Sequence, residues 1–258
     1  MRSYPMDSIF ASLLVALVLA AIAGDRILAG ERDQKAGANQ TMITVSDHRP
    51  DSRQIVAAKL VIPLDQEGLP QAEAWEAAQP VTFCADWQGK NADPLRQTEV
   101  RVLWSQSFLF IRFRASYREI YVYPGGKSRR DQLWLRDVAE VFIRPGTDEP
   151  RHYKEFEISP NGDWLDLDIN SGRKSDLQCE LKSRVVTDAK SGIWIAEMAI
   201  PVRCLAREFD TGEVWRLNFF RVEGPEPNRF YSSWQPTNTP QPNFHVPAVF
   251  GKLRFSEK

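Results

Sequence analysis

Short stretches in which apolar and polar residues alternate follow one another from about residue 55 to the end of the chain. Alternation with a period of two is typical of a β-strand that buries one face, and residues 109–114 (LFIRFR) are one example. Most stretches end at a proline, glycine or asparagine. A mixed α/β enzyme would show helical periods of about 10–15 residues between its strands. The sequence lacks such periods and therefore predicts an all-β fold.

About ten such segments with regular turn signals predict an antiparallel β-sandwich, jelly-roll-like in type, with only minor helix. The turn signal Pro160-Asn161-Gly162 predicts a hairpin between the two strands that flank it. Helical signals are confined to residues 71–78 and to a turn at residues 203–208. The predicted strands are residues 55–62, 100–104, 109–114, 139–144, 153–159, 164–170, 181–187, 193–200, 214–223, 230–234 and 252–255.

The N-terminus has the features of an export signal. Residues 9–23 (IFASLLVALVLAAIA) are nearly all apolar, and Ala21-Ile22-Ala23 is a small-x-small cleavage site. The apolar run is shorter than the roughly 20 residues of a membrane-spanning helix. We therefore predict a cleaved signal peptide at residues 1–23, with an uncleaved anchor as the alternative. We also predict a flexible polar tether at residues 24–54 and one domain at residues 55–258. The mature protein is then expected to be secreted, periplasmic or on the cell surface, without a transmembrane span.

Charge and cysteine content narrow the function classes. The 33 Lys and Arg residues nearly balance the 34 Asp and Glu residues. Nucleic-acid binding needs a basic face, so no nucleic-acid partner is predicted. Cys84, Cys179 and Cys204 permit one disulfide with one free thiol, or three small buried side chains, and the sequence leaves both open. No Cys and His residues show metal-ligand spacing, so we predict neither structural zinc nor a cofactor.

Eight Trp and 14 Phe residues are many for a chain of this length. A pyranose has apolar C–H faces and a polar rim, so an exposed aromatic platform beside polar side chains can bind it. Residues 133–142 (LWLRDVAEVF) place Trp134 beside Asp137 and Glu140 just before a strand. The alternative is that Trp134 closes one end of the sandwich and that both acids are ordinary solvated residues.

A second candidate region is the proline- and amide-rich stretch at residues 234–251. Long loops on a rigid sandwich often carry binding residues, so Trp234, Phe244 and His245 are candidates. The alternative is that Phe244 packs beneath the loop. Asn218 lies within an apolar strand and needs a partner or a ligand. Glu197 raises the same question, and we expect it to form an ion pair with an arginine.

A series of short motifs follows one another along nearly all of residues 60–255. They are Leu64-Asp65, Glu73-Ala-Trp75-Glu-Ala77, Thr98-Glu-Val-Arg-Val-Leu-Trp104-Ser, Leu109-Phe-Ile111, Trp134-x-x-Asp137-x-x-Glu140-x-Phe142, Trp194-x-x-Glu197-x-x-Ile200-Pro201, Trp215-Arg-Leu-Asn218, Ser233-Trp234-x-Pro-Thr-Asn238 and Phe250-Gly251-x-Leu253. No single motif is specific, but their order resembles that of the family-nine carbohydrate-binding modules, whose sandwich is shared with the DOMON domains.

The resemblance implies a site in which two tryptophans sandwich a sugar at a chain end. The first tryptophan falls on Trp134, and the second falls on Phe244, which departs from the family. Glu140 would bond sugar hydroxyls, and Asn218 falls near another polar contact. An arginine of the family's site falls near Glu157, so that contact is lost here. The family also often holds structural calcium, for which Asp166, Asp168 and Asn170 are candidates.

We therefore expect an exported, non-catalytic carbohydrate-binding domain with Trp134 and Phe244 roughly 8–10 Å apart across an open cleft. One alternative is an adhesion or assembly domain without a small ligand. Another is a part of glycoside-hydrolase machinery, which needs two carboxylates about 5–9 Å apart. A b-type haem domain is a further alternative and needs axial ligands, for which the Met and His candidates are Met42, Met198, His48, His152 and His245.

Overall fold

The structure is a computed structural model that describes residues 52–146 and 148–257. The predicted signal peptide and the predicted tether up to residue 51 lie outside the described residues. Thirteen strands are present in the described part: β1 Gln54–Lys59, β2 Val81–Phe83, β3 Thr98–Trp104, β4 Phe108–Ser116, β5 Val138–Arg144, β6 His152–Ile158, β7 Trp164–Asn170, β8 Arg173–Asp176, β9 Lys182–Asp188, β10 Ile193–Pro201, β11 Trp215–Glu223, β12 Phe230–Ser233 and β13 Gly251–Phe255.

The strands form two sheets that share β1. Sheet I has the order β8-β7-β6-β5-β11-β13-β1, with β12 paired to β11, and sheet II has the order β1-β3-β4-β10-β9, with β2 paired to β3. Residues 54–57 of β1 pair with β13, and Ala58 and Lys59 then pair with β3. The first strand thus passes from one sheet to the other. The predicted all-β sandwich is confirmed, although both pairings of β1 are parallel.

The main core lies between the sheets and is built from the alternate side chains of each strand. Phe113 on β4 and Phe219 on β11 meet edge to face at 5.9 Å between ring centroids, which joins sheet II to sheet I. Both rings have no exposed surface. A buried aromatic side chain of this kind contributes about 1.5–3 kcal/mol through burial. The side chains on the opposite face of sheet I are free to form a separate cluster.

Helical structure in the described residues is minor, as the sequence predicts. The signal at residues 71–78 forms a 3-10 helix at Ala72–Ala77, and the turn at residues 203–208 begins within a short α-helix, α1, at Val202–Leu205. Further 3-10 turns are Pro94–Arg96, Leu133–Leu135 and Pro247–Val249. No helix of the described part is long and apolar enough to cross a membrane.

The predicted hairpin at Pro160-Asn161-Gly162 is confirmed, since Ile158 and Trp164 pair across it in antiparallel register. Gly162 has φ +85°, a left-handed conformation that favours glycine. Each of the eleven predicted strands is present, whereas β2 and β8 were not predicted. All four residues of β8 are exposed, so this strand has no apolar alternation to detect.

One of the two cysteine alternatives is realised. Cys179 and Cys204 form a disulfide with 5.8 Å between their Cα atoms. Cys84 is a free thiol and is half-buried. The disulfide connects the segment after β8 to α1, and Cys179 also lies in the main core. The bond therefore fixes a loop of sheet I to the helical turn that follows β10.

Candidate functional site

The outer face of sheet I, away from the main core, carries a mixture of aromatic rings and carboxylates. Cross-strand pairing sets this arrangement, because residues opposite one another point to the same face. Glu140 on β5 lies opposite Glu157 on β6 and Phe220 on β11. Phe142, two residues along β5, lies opposite Glu155. Side chains alternate along each strand, so Val141 and Phe219 point into the core. Their neighbours point to the outer face, which carries Glu140, Glu155, Glu157, Phe142 and Phe220.

A cavity of about 240 Å³ opens on this face. Trp134, Glu140, Phe244 and His245, which come from distant parts of the sequence, all contribute to its wall. Four of the seven residues predicted for the site are therefore brought together. The remaining residues of its wall are Leu135, Phe142, Glu155, Lys174, Val222, Arg229, Tyr231, Pro242 and Asn243.

Trp134 reaches the cavity from the 3-10 turn that precedes β5. Leu133 is fully buried and anchors this turn, while Trp134 itself is half-buried. The ammonium of Lys174 on β8 lies 4.7 Å from the centre of the Trp134 ring, which is a cation–π contact. The indole is thus held at the edge of the sheet with part of its surface exposed to solvent.

Phe244 enters from the loop between β12 and β13. Its ring stacks on Phe220, with 4.3 Å between centroids and 14° between planes. Next to it, His245 is 36% exposed, and its Nδ1 lies 2.8 Å from the hydroxyl of Tyr153. Burial lowers the pKa of His245, so the neutral imidazole is favoured. The backbone N–H of His245 also donates to the Asn243 side chain, which fixes the loop.

Glu140, Glu155 and Glu157 form a compact acidic cluster. One carboxylate oxygen from each lies within 4.8 Å of the others, and the residues are only 2%, 2% and 0% exposed. Burial, followed by repulsion from Glu155, raises the pKa of Glu140 well above its usual value. Burial, followed by repulsion from Glu140 and Glu155, does the same to Glu157. The cluster therefore favours protons or another positive charge.

Asp137 does not line the cavity, contrary to the sequence-based expectation. It is 3% exposed, and its carboxylate accepts hydrogen bonds from the backbone N–H groups of Tyr121 (3.0 Å) and Gly224 (2.6 Å). Its own carbonyl accepts from the Ser159 hydroxyl. Burial raises the pKa of Asp137 to about 6. Asp137 thus ties three segments together just after the turn that carries Trp134.

Asn218 and Trp234 also lie outside the cavity wall. Asn218 has no exposed surface, and its amide exchanges two hydrogen bonds with the backbone of Gln235 at 2.8 and 2.9 Å. The Trp234 ring packs on Phe219 at 5.7 Å and against Gly251, where a side chain would collide with the indole. The hydrogen-bonding groups of Asn218 are therefore satisfied by the backbone, and the Trp234 ring packs against the core.

Several residues in the cavity wall were not predicted. Lys174 lies on β8, the strand without apolar alternation. Arg229 donates to the carbonyl oxygens of Gly224 (3.1 Å) and Leu135 (2.7 Å), so its guanidinium is fixed at the rim. Glu155 lies two residues from Glu157 on a strand of known alternation, and that spacing was a signal for its shared face. The sequence offered no comparable signal for Arg229.

The predicted calcium ligands Asp166, Asp168 and Asn170 have other surroundings. Asp166 forms an ion pair with Arg129 at 3.2 Å, and Asp168 lies 2.7 Å from the ring of His152. Asn170 is exposed at the end of β7. Among the described residues, the acidic group compact enough for a metal ion is the glutamate cluster instead.

Two other expectations concern residues away from the cavity. Glu197 forms the expected ion pair, with Arg184 at 2.6 Å. Met198, a candidate haem ligand, has no exposed surface and lies in the main core. The Met198 side chain therefore packs between the sheets and is not accessible to a haem.

Comparison with known proteins gives a consistent assignment. The family model described as carbohydrate family 9 binding domain-like matches residues 68–258. A relative from Arthroderma benhamiae, named "Extracellular protein", is 26% identical over 180 residues, which cover 63% of this chain and 80% of that protein.

Solved structures share the fold at low sequence identity. A protein from Bacteroides uniformis aligns with a TM-score of 0.62 at 18% identity, over 79% of this chain and 99% of that one. A family 9 carbohydrate-binding module from Caldicellulosiruptor kristjanssonii in complex with cellotriose aligns with a TM-score of 0.57 at 12% identity, over 80% of this chain and 94% of that one. A family 9 carbohydrate-binding module from Caldicellulosiruptor kristjanssonii in complex with glucose aligns with a TM-score of 0.57 at 13% identity, over 80% of this chain and 96% of that one. Because the family model matches well over half of its residues, the chain belongs to the carbohydrate family 9 binding domain-like family.

Proposed function

We propose that this chain is an exported, non-catalytic carbohydrate-binding domain that holds a sugar ring between Trp134 and Phe244. The observation that carries the proposal is the convergence of these two aromatic side chains, about 110 residues apart in sequence, on one cavity that Glu140 and His245 also line. Flat apolar rings with polar groups beside them match the apolar faces and hydroxyl rim of a pyranose.

The size of the cavity favours a small ligand. Pockets for drug-sized ligands measure about 300–1,000 Å³, whereas this one measures about 240 Å³. A single sugar ring or the end of a chain suits this volume better than the middle of a polysaccharide. The presence of a hollow beside Trp134 also favours a ligand site over an adhesion domain, for which a flat surface would be expected.

Polar groups at the rim supply directional contacts. The Arg229 guanidinium is held by two carbonyl oxygens, and Lys174 lies over the edge of the cavity near Trp134. We assign direct contacts with hydroxyls to Glu140 and His245, and supporting roles to Asp137, Asn218 and Trp234. The supporting roles follow from their burial and their backbone or core partners.

The relatives support a sugar ligand and export. Family 9 modules with a similar fold have been solved with cellotriose and with glucose. The Arthroderma benhamiae relative is an extracellular protein by name. Together with the apolar N-terminal segment, this favours a secreted, periplasmic or cell-surface location.

The carboxylates favour binding over hydrolysis. A glycosidase keeps one carboxylate ionised while the other holds a proton. In the glutamate cluster, burial raises the pKa of both Glu140 and Glu157, and Glu157 has no exposed surface from which to reach a water or a glycosidic oxygen. An assay for new reducing ends on β-glucans should therefore detect none.

Affinity gel electrophoresis with a panel of soluble polysaccharides, together with a glycan array, tests the proposal. We expect at least one glycan to retard the wild-type protein and Trp134→Ala to abolish that retardation. Trp164→Ala is the matched control, because Trp164 is also half-buried but lies outside this cavity. The proposal fails if no glycan binds the wild-type protein or if Trp134→Ala binds as well as the wild type.

A further inference from the structure

The glutamate cluster holds more negative charge than the residues around it compensate. Glu140 Oε1, Glu155 Oε2 and both carboxylate oxygens of Glu157 are buried and accept no hydrogen bond from any described residue. Leaving a buried polar atom unsatisfied costs about 1–3 kcal/mol, and more for a charged one. Glu155 and Glu157 can satisfy one another only by sharing a proton, so in the ionised cluster these four atoms need a cation that the described side chains do not supply.

Among the described residues, positive groups lie within 4.0 Å of only one member of the cluster. Lys174 Nζ and His245 Nδ1 each lie 3.9 Å from Glu155 Oε2. The Lys174 side chain is 39% exposed, so solvent screens its charge. Within residues 52–146 and 148–257, no ion pair to Glu140 or Glu157 is present at 4.0 Å or less. The pair at the centre of sheet I is thus left without a direct counter-charge.

We propose that Glu140, Glu155 and Glu157 together bind one divalent cation of the calcium class at the floor of the cavity. Calcium binds oxygen ligands at about 2.3–2.6 Å, so two ligands on opposite sides of the ion lie about 4.8 Å apart. The three carboxylate oxygens fall within that separation of one another. Three glutamates supply up to six oxygens, and the adjoining cavity gives access to water for the remaining positions.

The alternative cation is the ammonium group of an amino sugar bound in the cavity. Glu140 and Glu155 line the cavity, but Glu157 does not and has no exposed surface. An ammonium attached to a sugar ring would reach the first two carboxylates and leave both oxygens of Glu157 unpartnered. A small free ion can lie among all three, so the position of Glu157 favours a metal ion.

The proposed site goes beyond sugar binding and differs from the set Asp166, Asp168 and Asn170 that the sequence suggested for calcium. Metal binding at this site can be tested in the absence of sugar. Isothermal titration calorimetry of the full chain, treated with EDTA and dialysed, would use CaCl₂, with MgCl₂, MnCl₂ and ZnCl₂ as comparisons. Glucosamine and glucose, each titrated without metal ions, test the ammonium alternative.

We expect one Ca²⁺ per wild-type chain and a higher melting temperature in its presence. Glu157→Gln should weaken Ca²⁺ binding about tenfold or more, because the charge of the ligands sets the affinity of such sites. Glu119→Gln is the matched control, since Glu119 is exposed and outside the cluster, and it should bind as the wild type does. Circular dichroism verifies that each variant is folded.

Absence of binding by all four metal ions to the wild-type protein would overturn the proposal. Equal Ca²⁺ affinity of Glu157→Gln and wild type would overturn it as well. Binding of glucosamine but not of glucose, without binding of any metal ion, would assign the carboxylates to an ammonium group instead. Because no glycan is present in the metal titrations, a failure here is distinct from a failure of the proposed sugar binding.

Discussion

Glu140 and Glu157 lie directly opposite one another on the antiparallel strands β5 and β6, with both side chains buried on the outer face of sheet I. Like charges at directly opposed positions destabilise a sheet. The resemblance to family-nine modules implies an arginine near this position. This chain instead has the buried acid Glu157, so Glu140 faces a like charge rather than a positive one.

Replacing Glu157 with glutamine should stabilise the protein when metal ions are removed. A glutamine of nearly the same shape loses the charge and gains an N–H group that can donate to Glu140 or Glu155. The free energy of unfolding in EDTA at pH 8 should rise by about 1–3 kcal/mol. Urea denaturation measures this change, and Glu119→Gln should leave it unaltered. A lower stability of Glu157→Gln would contradict the unfavourable charge assigned to the pair.

Phe244 should be a weaker aromatic platform than the tryptophan of the family. Its ring is already stacked on Phe220, so a larger ring at this position should extend the same plane over the cavity. Aromatic contacts contribute about 0.5–1.5 kcal/mol beyond area burial, which corresponds to about 2- to 12-fold in affinity. Calorimetry with the best glycan should show tighter binding for Phe244→Trp and weaker binding for Phe244→Ala. Unchanged affinity in both variants would remove Phe244 from the site.

Asp137 should make the protein less stable as the pH rises. Its pKa is about 6 in the folded state, above the ordinary value of 3.8, so the folded protein retains this proton where the unfolded chain releases it. The resulting stabilisation is complete below about pH 4 and disappears as the pH rises through 6.

The difference between the folded-state pKa of about 6 and the ordinary value of 3.8 corresponds to about 3 kcal/mol. Asp137→Asn removes this contribution, so the stability of the variant relative to the wild type should increase by about that amount between pH 4 and pH 7.5. Urea denaturation at both pH values measures the difference. A stability difference that is the same at both pH values would contradict the raised pKa.

The Cys179–Cys204 disulfide should contribute to stability because it closes a loop of 25 residues. The disulfide lowers the entropy of the unfolded chain, which raises the free energy of unfolding by about 3 kcal/mol. Dithiothreitol should lower the melting temperature of the wild type and of Cys84→Ser by similar amounts. The double variant Cys179→Ser/Cys204→Ser should already melt at the lower temperature and not respond. A response that is lost in Cys84→Ser would assign the bond to a different pair.

Most of the fold was accessible from the sequence because alternation and turn residues act locally. The hairpin around Gly162 and the buried side of residues 109–113 follow from such local signals. The polar strand β8 was missed because an edge strand can be held by backbone hydrogen bonds alone. The passage of β1 between the sheets depends on pairing with β3 and β13, which no local pattern encodes.

The candidate site was only partly accessible. The cavity brings together Trp134 and Phe244, whose pairing the resemblance implied. Asp137 was misplaced because a carboxylate beside an exposed tryptophan has the same sequence pattern whether it faces a ligand or accepts backbone N–H groups. Arg229 was missed because its position depends on two carbonyl oxygens from separate segments.

A crystal structure of the protein with its best-binding oligosaccharide would locate the bound sugar. We predict a terminal sugar ring between Trp134 and Phe244, with hydroxyls within hydrogen-bond distance of Glu140 or His245. A sugar bound elsewhere on the molecule, with this cavity free of it, would contradict the proposed binding site.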